Sequence, residues 1–379
     1  MKHSNLLLIA SLFALAACES KTVSDKAFYL TEENMPPVQT IEAELVELPD
    51  VEVCFHTDLD NYYVYHDSIL IIEQTNRAFT CNLYVMNLNN NEIIGKYLYK
   101  GNGRGEVIAC HFRLHQNYLL AHDVYKNNLF LFNLDSVVVY GQAYKPKMMQ
   151  PDIKVDYFDF LTDTSLVICN TFYLDGEGIP ENATLPELLV TDSKGKTGYK
   201  VPDGIYTAIN YSHTHLATNI KKDRVFLGYY YKPQFTILNT KLDTVKIVLG
   251  PDKYEKIKYH VVPEFNEVSK KSQGKDYVQS TLSTDEYVFA LMDTIQPQDS
   301  PHPKNPNDII KWIAEEHKKI VELHLDIYKF DWDGNLIARY RQKTGNRIVY
   351  IAGYSEPTNT LYVMLDSESG EWKLAKIKL

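Results

Sequence analysis

Short apolar runs that end in an asparagine or aspartate recur along the chain. The last residue of each run is followed by polar residues, at Asn87, Asn133, Asp192, Asn239 and Asp331, so that successive copies lie 46, 59, 47 and 92 residues apart. Asn and Asp favour tight turns because their side chains bond to the local backbone and tolerate left-handed conformations. A period of about 40–50 residues is typical of the four-stranded blades of a β-propeller.

Each of these turns has a second apolar strand upstream, and a sixth copy lacks its last strand. The upstream strands cover 68–72, 118–122, 165–169, 224–229 and 286–292, and the sixth unit contains 360–364 and 372–379. Segment 38–48 is strand-like and has no other partner. Since an open ring leaves exposed strand edges, we predict that this segment completes the sixth blade. The expected fold is all-β: a six-bladed β-propeller closed by an N-terminal strand.

The longest gap contains a segment with helical periodicity. Asn305 can cap a helix, Pro306 suits its first turn, and Asp308 opposes the amino-terminal dipole. Apolar residues then share one face, at Ile309, Ile313, Ile320 and Val321. The pattern predicts one helical insertion in blade 5, at about 305–322. It either covers the scaffold or forms a wall of a binding site.

The first residues predict export and lipidation. A basic start precedes twelve apolar or small residues, 6–17, whereas a membrane-spanning helix needs about 20. The run ends Leu-Ala-Ala-Cys18, which resembles a bacterial lipobox. We therefore expect a lipoprotein signal peptide at 1–17, a lipid on the sulfur of Cys18, a flexible tether at 18–37 and the propeller at 38–379. The alternative is a plain secreted precursor with an incidental cysteine.

Composition and net charge narrow the range of expected binding partners. The 379 residues are 45% hydrophobic and carry a net charge of −10, with 39 basic and 49 acidic residues. The composition is that of a globular protein, and the negative charge gives no reason to expect nucleic-acid binding. We expect a cell-envelope protein held to the membrane by its N-terminal lipid. The expected membrane is the outer one, with periplasmic and surface-facing orientations both open.

One turn links the chain to a known group. Residues 100–106 read Lys-Gly-Asn-Gly-Arg-Gly-Glu, with Arg104 where proline is common in that group, and Glu106 at the end. Together with the lipobox and the blade pattern, this turn resembles the TolB-like six-bladed propeller lipoproteins of Bacteroidetes. The resemblance implies the fold and the compartment rather than an activity. The glycines are expected to supply left-handed backbone conformations where one blade leads to the next.

Candidate chemical groups are sparse. His213 and His215 would point the same way from an innermost strand, and they could line the central channel or share a metal, although no third ligand is identifiable. His111 and His115 lie four apart in a strand-like segment, where helical spacing does not apply. Further groups are expected to be structural: solvated or loop-capping carboxylates at Asp156, Asp159 and Asp163, and either buried thiols or disulfides at Cys54, Cys81, Cys110 and Cys169. The sequence predicts no cofactor.

The long connections should crowd one face of the ring, and the c–d turns on the opposite face should stay short. In a propeller whose strands are lettered a to d from the axis outward, the b–c and d–a connections emerge on the same face. The insertions at 172–186 and 293–322 are b–c connections, and function tends to lie on such loops. Aromatic side chains there are either binding surface or packing for the insertions. The candidate binding residues are Arg104, Glu106, Tyr173, His213, His215, Tyr230 and Trp312.

The leading functional hypothesis is a lipid-anchored binding or interaction module that presents this loop-rich face to a peptide, a glycan or an envelope protein. No GxSxG, HExxH or Cys-His nucleophile pattern occurs in the sequence. The alternative is a propeller enzyme, either a metal-dependent hydrolase or a sugar oxidoreductase, with its site at the channel mouth. A third possibility is a structural assembly role, which requires a stable protein partner.

Overall fold

The structure of the chain is a computed structural model. It describes residues 26–48, 61–74, 80–103, 105–152, 155, 157–162, 165–169, 188–192, 194, 196–200, 214–229, 233–251, 259–262, 267–270, 278–293, 325–343, 347–366 and 372–379. The described strands form six mainly antiparallel sheets of at least four strands each, arranged as the blades of a β-propeller, which confirms the predicted fold class.

Blades 1 to 3 follow one another along the chain, each as four consecutive strands from the axis outward. Blade 1 contains β4 (Asn61–Tyr65), β5 (Ile69–Glu73), β6 (Cys81–Asn87) and β7 (Glu92–Tyr99). Blade 2 contains β8 (Cys110–His115), β9 (Tyr118–Asp123), β10 (Asn128–Asn133) and β11 (Lys147–Met149). Blade 3 contains β12 (Tyr157–Thr162), β13 (Ser165–Cys169), β14 (Leu188–Asp192) and β15 (Thr197–Lys200).

Blades 4 to 6 use the rest of the chain together with three N-terminal strands. Blade 4 contains β16 (Thr214–Asn219), β17 (Arg224–Tyr229), β18 (Gln234–Leu238) and β19 (Thr244–Leu249), and a separate hairpin, β20 (Tyr259–Val262) and β21 (Glu267–Lys270), follows it. Blade 5 contains β22 (Val278–Ser283), β23 (Tyr287–Asp293), β24 (Leu325–Asp331) and β25 (Leu336–Gln342). Blade 6 contains β26 (Arg347–Ser355), β27 (Thr360–Asp366) and β28 (Trp372–Lys378).

The asparagine or aspartate that marks the repeat makes the turn between strands c and d. In blade 1 the Asn87 Oδ1 accepts a hydrogen bond from the amide two residues on, at 2.8 Å. Asp192, Asn239 and Asp331 each accept two backbone amides in the same way. These bonds replace backbone pairing in a tight turn. The sequence repeat is therefore a repeated side-chain turn.

Blade 2 departs from this pattern. Asn133 Oδ1 accepts the Ser136 amide at 2.9 Å and so caps a helix, α1 (Leu134–Tyr140), in place of a turn. The helix was not predicted, and the expectation of short c–d turns is wrong for this blade. The predicted helix at 305–322 lies outside the described residues.

Apolar side chains fill the gaps between blades. All five residues of β5 are buried, and the largest core cluster joins blades 1, 2, 5 and 6. Blade 6 meets blade 1 closely at Gly353, where a Cβ would lie 2.2 Å from the Val64 carbonyl oxygen, so no larger residue fits without a backbone shift. Beside it, the Tyr350 hydroxyl accepts the Tyr62 amide at 2.8 Å.

An N-terminal strap runs along the outer edges of three blades. It consists of β1 (Ala27–Tyr29), β2 (Val38–Ile41) and β3 (Glu44–Leu45). β3 pairs antiparallel with β28 and supplies the fourth strand of blade 6, which confirms the predicted closure of the ring.

The other two strap strands correct the expected boundaries. β2 pairs in parallel with β25 of blade 5, so residues 38–41 do not belong to blade 6. β1 pairs in parallel with β19 of blade 4, so residues 26–37, placed in the tether by the sequence analysis, belong to the folded body. The cause is the same at both places: an outermost strand exposes unpaired amide and carbonyl groups, and the passing chain satisfies them.

Other sequence expectations concern the start of the chain and the cysteines. The signal peptide and Cys18 lie outside the described residues. Within the described part, every helix is too short or too polar to cross a lipid bilayer. Cys81 and Cys110 are free and buried thiols, and burial raises the pKa of both.

Candidate functional site

A cavity of about 810 Å³ opens at the propeller axis, on the face that carries the a–b and c–d turns. We call it the axial cup. It is lined by residues from all six blades, among them Tyr65, His66, Tyr118, Phe160, Ile220, Lys221, Asp285, Tyr354 and Glu356. The cup therefore lies on the face opposite the long connections on which the sequence analysis placed the binding residues.

Left-handed residues in the a–b turns bring polar groups to the rim. His66 and Asp67 have φ values of 49° and 57°, and Gln116 has 50°. The connection from β4 to β5 has three residues, 66–68, of which two have positive φ. The turn of blade 1 thereby places the His66 ring against Tyr65, with ring centroids 3.8 Å apart and planes 20° from parallel.

The floor of the cup contains a buried carboxylate, Asp159, with three neighbours from two other blades. Its Oδ2 lies 3.1 Å from Arg113 Nη2, 3.3 Å from His115 Nδ1 and 2.8 Å from the Thr218 amide, while His115 Nδ1 also lies 2.6 Å from Ser283 Oγ. The Asp159 side chain is fully buried. Because His115 comes from blade 2 and Ser283 from blade 5, this contact spans the axis and closes the bottom of the cup.

Burial governs the protonation of the floor. It lowers the pKa of His115 below its ordinary value, although Asp159 nearby acts in the opposite direction, and Arg113 reinforces the lowering. His115 is therefore neutral at pH 7, and Arg113 supplies the positive charge that balances Asp159. The Arg113 guanidinium also donates to the carbonyls of Leu216 and Phe158, so one side chain joins blades 2, 3 and 4.

The floor holds the residue types of a hydrolytic triad without the geometry of one. Both Ser283 and Asp159 contact the same ring nitrogen of His115, Nδ1. A relay requires the base and the orienting carboxylate on different ring nitrogens. The arrangement is a structural bridge between blades, and it does not activate the Ser283 hydroxyl.

The rim carries more negative than positive charge. Asp135 accepts the Tyr65 hydroxyl at 2.7 Å and the Asn117 amide at 3.1 Å, and the Tyr65 hydrogen bond in particular lowers the pKa of Asp135. Asp285 pairs with Lys221 at 2.9 Å. Glu356 is exposed at the same rim. The cup therefore favours neutral or cationic ligands over anions.

The Asp67 carboxylate joins the first and last blades of the ring. Asp67 of blade 1 accepts hydroxyl groups of blade 6, from Ser355 at 2.5 Å and from Tyr362 at 2.8 Å, and Thr358 donates to it at 3.1 Å. Its partial burial opposes ionisation, but these hydrogen bonds outweigh it and lower the pKa of Asp67. Blade 6 and blade 1 are thus connected at the rim as well as by packing.

Glu106 is part of the glycine-rich turn at 101–106. Its carboxylate accepts the Gly103 amide at 2.7 Å, and the Lys126 ammonium donates to the carbonyls of Gly101 and Glu106, both at 2.8 Å. Gly105 has φ of 84°, which confirms the left-handed backbone expected in this turn. In the described residues the turn is a structural joint between blades 1 and 2.

His215 lies in β16, the innermost strand of blade 4, as predicted. It is buried, and its Nε2 lies 3.2 Å from the Val278 carbonyl oxygen of blade 5. The remaining predicted site residues lie outside the described residues, and their roles stay predictions: Cys18, Arg104, Tyr173, His213, Tyr230 and Trp312.

Metal binding finds no support in the part of the chain that is described. No group of three or more His, Cys, Asp or Glu side chains there could hold a metal ion. The shared metal considered for His213 and His215 therefore stays untested, because His213 is not described.

Sequence reasoning missed the two central residues of the floor. Asp159 was expected to be solvated or to cap a loop, and it is instead fully buried. His115 was set aside because its spacing from His111 is not helical. The available signal was the position of both residues in innermost strands, since six such strands converge on one axis.

The fold and the cup define the class of the protein: a six-bladed β-propeller with an open axial cavity. Two of the solved structures similar to it come from Bacteroides. One is a Bacteroides fragilis NCTC 9343 protein assigned as exported, with 14% identity, a TM-score of 0.54, and coverage of 93% of this chain and 99% of that one. The other is a member of the DUF4221 family from Bacteroides vulgatus ATCC 8482, with 12% identity, a TM-score of 0.53, and coverage of 92% and 99%.

At these identities the likeness shows the fold alone. No protein-family model and no curated protein matches the chain. A propeller of this kind is compatible with a binding module.

Proposed function

We propose that the protein is a lipid-anchored binding module of the cell envelope that holds a short saccharide in the axial cup. The observation that carries the proposal is the cup itself, an open cavity of about 810 Å³ at the axis, lined by side chains from six blades. Ligand pockets have volumes of roughly 300–1,000 Å³ and are largely formed in advance. A rigid ring of sheets meets that requirement.

The lining favours a neutral or amino sugar. Tyrosine and phenylalanine rings supply apolar faces, and turn residues supply amides and carboxylates. Within the described part of the chain, the side chains of Gln116 and Glu356 form no hydrogen bond, so both can bond to a ligand. Peptides remain the alternative ligand, because the same groups bind backbone amides.

The compartment is part of the same proposal. The lipobox at Cys18 supports a lipid anchor, and the exported Bacteroides fragilis protein of similar fold supports export. An outer-membrane location and membership of the TolB-like lipoproteins are proposed on the resemblance in the turn at 101–106. The loop-rich face, with Arg104, Tyr173, Tyr230 and Trp312, is proposed as a second surface, for an envelope protein.

Calorimetry on the full mature chain tests the cup. The Cys18→Ser form would be titrated with linear trisaccharides of glucose, xylose and N-acetylglucosamine, and with tripeptides. We expect one saccharide class to bind, and Gln116→Ala with Glu356→Ala to weaken it about tenfold or more, because a hydrogen bond to the neutral amide contributes about 0.5–1.5 kcal/mol and one to the carboxylate about 1.5–3 kcal/mol.

Tyr125→Ala is the matched control, since this side chain is 72% exposed in the b–c turn of blade 2, on the opposite face. It should bind the saccharide like the wild type. Binding of tripeptides but of no saccharide would show that the ligand is a peptide. Saccharide binding that the double substitution leaves unchanged would move the site away from the cup.

A further inference from the structure

The lining of the axial cup is divided into an aromatic arc and a charged arc. The aromatic arc comes from four consecutive blades, 6, 1, 2 and 3, and consists of Tyr354, Tyr65, Tyr118 and Phe160. The charged arc comes from blades 4, 5 and 6 and consists of Lys221, Asp285 and Glu356. A molecule in the cup therefore meets rings on one side and charges on the other.

The cup lining carries an excess of negative charge. Among the described residues that line it, Asp135, Asp285 and Glu356 are carboxylates, and Lys221 is the one ammonium. Asp135 is already occupied, because one of its oxygens accepts a tyrosine hydroxyl and the other an asparagine amide. The two carboxylates of the charged arc remain, with a single cation beside them.

Glu356 is the carboxylate most available to a ligand. It is exposed, and its side chain forms no hydrogen bond within the described part of the chain. Burial lowers the pKa of Lys329, and Glu356 opposes this lowering, so the two charges attract each other. The Lys329 ammonium nevertheless lies over the Tyr287 ring, 3.8 Å from its centroid. The oxygens of Glu356 can therefore accept hydrogen bonds from a ligand in the cup.

The ion pair of the charged arc is weak. Lys221 Nζ lies 2.9 Å from Asp285 Oδ2, but the two side chains are 79% and 47% exposed. Water and salt screen such pairs, and the long lysine side chain loses freedom when it is held in one position. An ammonium group of a ligand can therefore replace Lys221 at Asp285 at small cost, while the lysine moves into solvent.

A buried hydroxyl group in the lining of the cup lacks a partner. Thr218 lines the cup and is 1% exposed. In the part of the chain that the structure describes, its Oγ1 forms no hydrogen bond. Buried polar atoms without a partner are uncommon, because each one costs free energy. This observation is independent of charge, and it favours a polar ligand that reaches the floor.

We propose that the cup selects a ligand with a free primary amine, whose ammonium group binds to Glu356 and Asp285 while an apolar face of the ligand lies on the aromatic arc. The rings suit the same ligand, because the faces of tyrosine and phenylalanine attract cations. The proposal rests on the proposed function for the location of the site, and it adds the chemical group that the site recognises. Lys221 then determines selectivity, since it competes with the ligand for Asp285.

Calorimetry at pH 6.0 tests the amine with two trisaccharides that differ only in their acetyl groups, those of glucosamine and of N-acetylglucosamine. At this pH the carboxylates are ionised and the free amines are protonated. The full mature chain with Cys18→Ser would be titrated with both, and with trilysine as an amine without a sugar. We expect the glucosamine trisaccharide to bind about tenfold or more tightly than its acetylated form.

Two substitutions should change the affinity in opposite directions. Glu356→Gln keeps the size of the side chain and removes its charge, so it should weaken binding of the glucosamine trisaccharide about tenfold and change binding of the acetylated form less than about twofold. Lys221→Gln removes the competing cation and should strengthen binding of the glucosamine trisaccharide about threefold. Glu33→Gln is the matched control, because it removes an exposed carboxylate between β1 and β2 and should leave both affinities unchanged.

The outcomes separate this proposal from the proposed function. Equal affinities of the two trisaccharides, or an unchanged affinity of Glu356→Gln for the glucosamine form, would overturn the amine and leave a saccharide site in the cup. Binding of trilysine that depends on Glu356, without binding of any saccharide, would support the amine and refute the saccharide. Absence of binding by both amine-bearing probes would overturn the proposal, whichever neutral saccharide binds.

Discussion

The floor and the rim of the axial cup use the same kinds of ionic contact under different exposure. At the floor, the Asp159 carboxylate is fully buried and Arg113 is 17% exposed. At the rim, Lys221 and Asp285 lie at a shorter distance, 2.9 Å, but their side chains are 79% and 47% exposed. Water screens the rim pair, whereas loss of one partner at the floor leaves an uncompensated charge. Burial, and not the distance between the charged atoms, therefore determines how much each ion pair contributes to stability.

The largest effect is expected at the floor. Asp159→Ala removes the partner of Arg113 and the acceptor of the Thr218 amide, so we expect the free energy of unfolding to fall by about 3–5 kcal/mol. Urea denaturation followed by tryptophan fluorescence measures it. Glu33→Ala, which removes an exposed carboxylate between β1 and β2, is the control and should remain near the wild type. A loss below about 1 kcal/mol would show that the floor behaves like the rim.

The second largest effect is expected from acidification, which acts on the buried histidines. Burial lowers the pKa of His122 to about 4 and also lowers that of His115, whereas both titrate near 6.5 in the unfolded chain. The unfolded state therefore binds more protons below pH 6.5, and stability falls as the pH drops from 6.5 toward 4, by about 1.4 kcal/mol per pH unit for His122. His115 acts in the same direction.

Denaturation at pH 7.0 and pH 5.0 measures this slope. His122→Gln should flatten it, because glutamine does not titrate, while the exposed His66→Gln serves as the control and should leave it unchanged. A wild-type free energy of unfolding that is equal at the two pH values would contradict buried neutral histidines.

An intermediate effect is expected where the ring closes. Asp67→Ala removes an acceptor of three hydroxyl groups of blade 6, and because the group is partly solvated we expect a loss of about 1 kcal/mol. The pKa of Asp67 is lowered in the fold, so this contribution is present at neutral pH and disappears as the pH falls below about 4. Equal unfolding free energies of Asp67→Ala and wild type at pH 7 would show that packing alone closes the ring.

The smallest effect is expected at the exposed pair. Lys221→Ala should change the free energy of unfolding by less than about 0.5 kcal/mol, and salt at 0.5 M should remove the difference. A larger loss of unfolding free energy that salt does not remove would show that this exposed pair behaves like the buried pair at the floor.

The sequence predicted the fold through a local signal and missed the site because the site is non-local. Asn87 and Asp331 form turns with neighbours a few residues away, so a repeat is visible in a single chain. Asp159 and His115 meet only because four innermost strands from different blades converge, and their chain neighbours carry no trace of this. Asn133 shows the same limit, because an asparagine that starts a turn in one blade caps a helix in another.

The N-terminal strap was half predicted for a similar reason. The repeat shows that blade 6 lacks one strand, and Glu44–Leu45 supplies it. The extra parallel strands on blades 4 and 5 could not be predicted in this way, because these blades already have the four strands that the repeat requires. Only the path of the chain past their open edges creates β1 and β2.

The strap also sets an order for biosynthesis. β3 needs β28, and β2 needs β25, so these two strands wait for partners that lie far downstream in the chain. Removal of β28 would leave blade 6 with two strands and β3 without its partner, while β1 and β2 would still pair with β19 and β25. The ring therefore closes only once β28 has been translated, whichever blades have folded before it.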